Sequence, residues 1–277
     1  NYSYDASIPA ALMFAAIFAM SLAVHIWQAA RYKTTWVWGL IFGILFEVVG
    51  FITRYIAIKK LHTIWPLLVS ETSLISAPAV LAAYLYMLAG RLMSYLGGHY
   101  SPVRHQLITK IFVVADFFSI SAQALGGSML AAKTLERLQL GFNILVVALA
   151  VQIVILVVFI GIVIVFDIRS RRGLREQRQP VQPLFYVFYV GSGMILLRSI
   201  YRLIDFGTIK FTADGVHGYT LTHEWLMYTF DAVPMTICVV VFNWVHAGRF
   251  LPAKKGLRID GSQEAQSATN WLWPLKR

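Results

Sequence analysis

Seven apolar stretches recur along the chain, at 8–29, 36–58, 67–92, 107–130, 140–166, 184–205 and 224–246. A bilayer core takes about 20 such residues of helix to cross, so the pattern predicts an all-α bundle of seven transmembrane helices. Polar residues interrupt the stretches at helical intervals. In the second, Gly39, Gly43, Glu47, Gly50 and Arg54 follow one another by three or four residues; the fourth has Asp116, Ser119, Gln123 and Gly127. The sixth carries Arg198, Arg202 and Asp205, the seventh Glu224, Tyr228 and Asp231, and the third has Glu71 ahead of Pro78. Such spacings put side chains on one stripe of a helix. A charge at the centre of a membrane helix costs at least about 2.5 kcal/mol, so these stripes should turn inward.

Depth and sign sharpen this picture. Arg54, Glu71, Gln123, Arg198, Arg202, Asp205, Glu224 and Asp231 fall in one half of their spans, while Glu47 and Asp116 lie near the middle or deeper. Six acids stand against three arginines, Arg54, Arg198 and Arg202. Static ion pairs holding the bundle together would absorb three acids. The surplus fits a path for protons or for an amine-bearing substrate. Pro78 and Pro234 lie inside spans, where each removes a backbone donor and favours a bend.

Composition agrees with the pattern. The 277 residues are 58% hydrophobic and 13% charged, against about 25% charged in soluble domains. The net charge of +11 is a topology signal rather than a sign of nucleic acid. Sixteen of the 24 Lys and Arg residues fall in alternate loops and the tail, including Arg169, Arg171, Arg172, Arg175 and Arg178. By the positive-inside rule that side is cytosolic, which puts the N-terminus outside and the C-terminus inside. Asn1-Tyr2-Ser3 is a glycosylation sequon on the predicted outer side. The expected organisation is a membrane domain over 1–250 and a polar cytosolic tail over 251–277, mobile or resting on the membrane surface. Cys238, the sole cysteine, reads as a small buried apolar residue.

The seven histidines show no His-x-x-x-His or His-Glu-x-x-His spacing, so no metal site is expected, and a haem pocket on His25 or His246 has no supporting pair. No nucleophile-elbow, Walker or dinucleotide-binding motif is present either, so no enzymatic activity and no cofactor are expected. Leu88-Ala-Gly-Arg-Leu92 and His246-Ala-Gly-Arg-Phe250 close the third and seventh spans alike, which fits a parallel 3+1+3 repeat.

Several motifs carry a family resemblance. Glu47-Val-Val-Gly-Phe-Ile-Thr-Arg54, Ala77-Pro78 with Ala83 and Tyr86 to Arg91, Asp116 with Gln123 and Gly126-Gly127, Arg198-Ser-Ile-Tyr-Arg202, and Glu224 with Tyr228 and Asp231 are among them. The chain resembles the fungal lipid-translocating exporters, named for resistance to an aminosterol. The resemblance implies a seven-helix protein linked to sphingoid-base translocation or lipid-toxin resistance, and in one branch to porphyrin handling. It implies functional polar positions at Glu47, Arg54, Asp116, Gln123, Arg198, Arg202, Asp205, Glu224 and Asp231. The sequence departs from the family pattern at Asp205, where glutamate is usual, and at Ala247, where proline usually follows the last histidine.

The expected activity is movement of an amphiphilic, cationic lipid between leaflets or outward, with membrane lipids as partners and the plasma membrane as location. Glu47, Asp116 and Asp231 are expected to meet the cation, Glu71 and Glu224 to draw it in at the outer rim. Arg54, Arg198 and Arg202 would balance charge or hold a phosphate or carboxylate. A seven-helix receptor or regulator is the alternative: it would bind such a ligand and move nothing. An intramembrane lipid enzyme would need a metal.

Overall fold

The computed structural model describes residues 7–59, 63–103, 105–129, 134–174, 178–208, 210–212, 215–217 and 223–252. The sequon, Arg104, Arg175 and the tail from 253 lie outside the described residues. Seven helices are long and apolar enough to cross a membrane, and the protein is an integral membrane protein of the all-α class. They are α1 (Ile8–Tyr32), α2 (Trp38–Lys59), α3 (Ile64–Leu96), α4 (His105–Met129), α5 (Leu135–Gly173), α6 (Gln182–Thr208) and a broken seventh span. The seventh consists of α7 (Glu224–Met227), a π turn (Tyr228–Ala232) and α8 (Val233–Trp244).

Local chemistry sets several ends. The Ser7 hydroxyl accepts from Ala10 N at 3.4 Å and Pro9 sits in the first turn, a standard opening for α1. Lys33, in the left-handed region at φ 52°, closes it. α3 and α5 outrun the apolar stretches. At 39 residues α5 is about 58 Å long, roughly twice the hydrocarbon thickness. At its polar end Asp167 pairs with Arg171 one turn on, at 2.9 Å, and with Arg178 beyond the helix. Part of the predicted basic loop is thus helix. Between α6 and α7 a short antiparallel hairpin, β1 (Lys210–Thr212) with β2 (Gly215–His217), pairs Phe211 with Val216; the apolar periodicity gave no sign of it.

Neighbours in sequence are neighbours in space, and α8 returns to pack on α1 and α6. α3 is the most deeply buried span and also touches α5 and α6. It lies close on α2 because glycines face it: a Cβ on Gly43 would sit 2.7 Å from the Leu81 side chain, and one on Gly50 2.6 Å from Leu74. The glycine stripe of the second span is therefore a packing face, with Glu47 and Arg54 at its edge. α4 and α5 meet still closer, since a Cβ on Gly126 would come within 2.6 Å of Gly141 O. Gly127 faces nothing within 4 Å, so of this glycine pair only Gly126 is taken up by a neighbour. The two similar span ends differ: Leu88 to Leu92 lies within α3, whereas His246 caps a tight turn over Ala247–Arg249. That turn forms with alanine at 247.

Gly126→Ala should drive α4 from α5 and cost about 1–3 kcal/mol, while Gly127→Ala should change stability by less than about 0.5 kcal/mol. Thermal unfolding of the two variants in detergent checks this difference.

Candidate functional site

Three arginines organise the interior toward the predicted outer end. Arg198, on α6 and almost fully buried, reaches three other spans: Nη1 donates to Glu47 of α2 at 3.0 Å, Nε to Asp231 of the π turn, and Nη2 to the main-chain oxygen of Leu74 in α3. The last contact has a cause in the sequence. Pro78 has no N–H, so the Leu74 carbonyl four residues earlier lacks its helical donor and is open to the guanidinium. Arg202, one turn further along α6, binds the second oxygen of Asp231, with Glu71 at 3.5 Å and Asp205 at 3.9 Å. Arg54 of α2 completes the group, with Glu224 at 3.1 Å and Glu71 at 3.7 Å.

At the predicted outer rim the network closes on main chain. Glu224 accepts from Ser7 N at 2.7 Å and from the Tyr228 hydroxyl at 3.1 Å. Tyr228 stacks on Phe14 of α1, ring centroids 5.4 Å apart. The structure therefore joins eight of the ten sequence-predicted residues, Glu47, Arg54, Glu71, Arg198, Arg202, Asp205, Glu224 and Asp231, into one network. It grades from tight and buried around Asp231 to loose and half-exposed around Glu71, whose side chain is 36% exposed. Five carboxylates facing three guanidiniums leave the group acidic.

Asp116 and Gln123 stand apart from it. Asp116 is buried on α4 and accepts from the Tyr86 hydroxyl of α3 at 2.7 Å; its Oδ1 has no hydrogen-bond partner. Among the described residues no basic group pairs with it. Its surroundings are aromatic, since the Tyr86 ring lies 4.5 Å from Phe159 and 5.5 Å from Phe112, centroid to centroid. Two turns on, Gln123 donates to Gln152 of α5 at 2.6 Å, and its own Oε1 is also without a partner.

Other polar contacts escaped the sequence reading. Gln152 is an amide within an otherwise apolar run, a detectable signal. Asp167 and Arg178 form a buried ion pair at the predicted inner end, with the Arg178 guanidinium 4.2 Å from the centre of the Phe185 ring. Burial lowers the pKa of Arg178, and the Asp167 carboxylate pulls it back up. Between α1 and α8 runs a polar seam: His25 Nε2 donates to Val239 O (3.1 Å), Gln28 to Asn243 O (2.8 Å), and Asn243 to Ser21 (2.6 Å). His25 and His246 come together here, centroids 6.2 Å apart, a pair that sequence spacing could not reveal. His246 Nδ1 accepts from Gly248 N, so its neutral ring carries hydrogen on Nε2. Among the described residues no three His, Cys, Asp or Glu side chains form a metal-binding group.

Fold and site together define a polytopic membrane protein whose packed helices enclose a buried network of charges. The chain belongs to the RTA1-like protein family, whose model matches residues 40–254. It is 32% identical to protein RTM1 of Saccharomyces cerevisiae over 207 residues, covering 73% of this chain and 64% of that one. It is 27% identical to the probable lipid transporter atnI of Emericella nidulans over 268 residues, 90% of this chain and 68% of the relative. Protoporphyrin uptake protein 1 of S. cerevisiae is 30% identical over 236 residues, 82% of this chain and 72% of its own. The chain thus spans about two thirds of the length of the relatives it matches. No solved structure matches it.

Removing one member of a buried pair strands its partner, so Asp231→Asn should destabilise the fold by about 3–5 kcal/mol. Arg171→Ala breaks an ion pair whose arginine is 53% exposed and should cost less than about 1 kcal/mol. Chemical unfolding of the two variants side by side in the same detergent tests this contrast.

Proposed function

We propose that this protein translocates amphiphilic lipids whose head group carries an amine, sphingoid-base-like or amino-sterol-like, across the plasma membrane. The observation that carries the reading is Asp116. The other intramembrane acids are engaged by Arg54, Arg198 or Arg202, whereas this buried carboxylate has a phenol and an aromatic wall but no cation among the described residues. A passing ammonium supplies the missing charge beside the Tyr86 hydroxyl. The barrier to flipping is the head-group charge in hydrocarbon, and a fixed acid at mid-depth lowers it.

Roles for the remaining residues follow from their partners. Gln123 and Gln152 extend the polar face from Asp116 toward the outer end. Glu71, Asp205 and Glu224 form the acidic rim where the amine leaves or enters. Glu47 and Asp231, held by Arg198 in this structure, contact the substrate only after that arginine lets go. The name of the lipid-transporter relative from E. nidulans supports transport of a lipid, and the amine in this reading rests on Asp116. The histidine pair does not bear on the porphyrin alternative, because an iron-free protoporphyrin has no metal for His25 or His246 to ligate.

The test is flipping of a fluorescent sphingoid base in liposomes holding the purified protein. Asp116→Asn should slow it by about tenfold or more, equivalent to at least about 1.4 kcal/mol on the barrier, while Arg171→Ala leaves it unchanged. Wild-type rates in the Asp116→Asn protein would remove Asp116 from the path. Binding without flipping by the wild-type chain would mark a receptor instead.

A further inference from the structure

Two of the spans that meet at Arg198 have interrupted backbones, and both interruptions lie at its level. In α3, Pro78 leaves the Leu74 carbonyl without its helical donor. In the seventh span the Val233 N–H bonds to Tyr228 O, five residues back rather than four, and Pro234 follows. The Thr236 hydroxyl then turns back to Ala232 O at 2.9 Å. A π turn holds one residue more than an α turn and occurs chiefly at functional sites. The other two spans at this junction, α2 with Glu47 and α6 with Arg198 itself, run unbroken through it.

We infer that the outer segments of α3 (64–77) and of the seventh span (224–232) form a single gate. It is hinged at Pro78 and at the π turn, and clasped against the rigid α2 and α6 by Arg198. One guanidinium holds one contact from each hinged segment, Leu74 O and Asp231, and one from the fixed α2, Glu47. The same segments carry Glu71 and Glu224, which both close on Arg54 of α2. Arg202 also bridges them, through Glu71 and Asp231. Each hinged segment is therefore latched at its base by Arg198 and at its rim by Arg54, so neither opens without loosening the arginines that hold the other. Opening moves Asp231 off Arg198 and Arg202 and Glu71 and Glu224 off Arg54, which bares the acidic interior toward the predicted outer side. The purpose of the gate rests on the transport reading; its existence does not.

Hydrogen–deuterium exchange of the full chain in nanodiscs, with no lipid substrate added, reads how far the two outer segments loosen when their clasp is weakened. Arg198→Lys keeps a cation but loses the planar fork that reaches three partners. It should speed exchange across 64–77 and 224–232 together by about tenfold or more and leave 79–96 and 233–244 near wild type. Pro78→Ala adds an N–H that shares Leu74 O with Arg198, since a carbonyl accepts two hydrogen bonds, and by stiffening the hinge should slow exchange in 64–77. Unchanged exchange in the lysine variant, acceleration of only one of the two segments, or equal acceleration of the inner halves would each overturn the gate. Because no transported lipid enters the measurement, failure here leaves the Asp116 reading standing, and failure of the flipping assay leaves the gate standing.

Discussion

The structure depends on satisfying Arg198. A guanidinium keeps its charge under any condition a protein survives, and it carries five donors that hydrocarbon cannot serve. The protein meets that demand from several helices at once: a carboxylate from α2, another from the seventh span and a bare carbonyl from α3. Each provision has its own structural consequence. The glycines of α2 let α3 approach, the proline of α3 frees the carbonyl, and the π turn places Asp231 where two arginines share it. Interior charge, helix spacing and backbone irregularity are thus three expressions of one electrostatic requirement.

The acids divide into two populations by what surrounds them. Those of the network meet guanidiniums, most closely at Asp231 and most loosely at Asp205, 3.9 Å from Arg202, and their charge holds helices together. Asp116 meets a phenol and aromatic rings instead. Charge-assisted pairing of the first kind favours a fixed arrangement, while an acid without a paired cation is free to interact with something that comes and goes. A bundle that holds both kinds keeps its shape through the first and its chemistry through the second.

Much of this was legible in the sequence. The seven spans follow from length and hydropathy, and depth along them put seven of the eight network residues, all but Glu47, in the same half of the bundle. What the stripes could not show was partnership. Glu47 and Asp116 both read as deep acids, yet one faces an arginine and the other a tyrosine, because the rotation of each helix is set by tertiary packing. The π turn was hidden because an inserted residue leaves no mark in a single sequence beyond the proline that follows. Pro78 read as a bend, but its larger effect is on a carbonyl four residues away. His25 and His246 are 221 positions apart in the chain and meet only because α8 packs on α1.

The outermost contact of the network is made by a peptide group. Ser7 offers its backbone N–H to Glu224, and its carbonyl accepts from the Tyr228 hydroxyl at 3.4 Å. Every amino acid except proline can provide that donor, so the border of the charged interior is written in chain path rather than in residue identity. Side-chain scanning across position 7 would report the lost cap of α1 while leaving this donor in place. At position 7 the edge of the site becomes visible only to changes that alter the main chain itself, such as an imino acid or an ester in place of the amide.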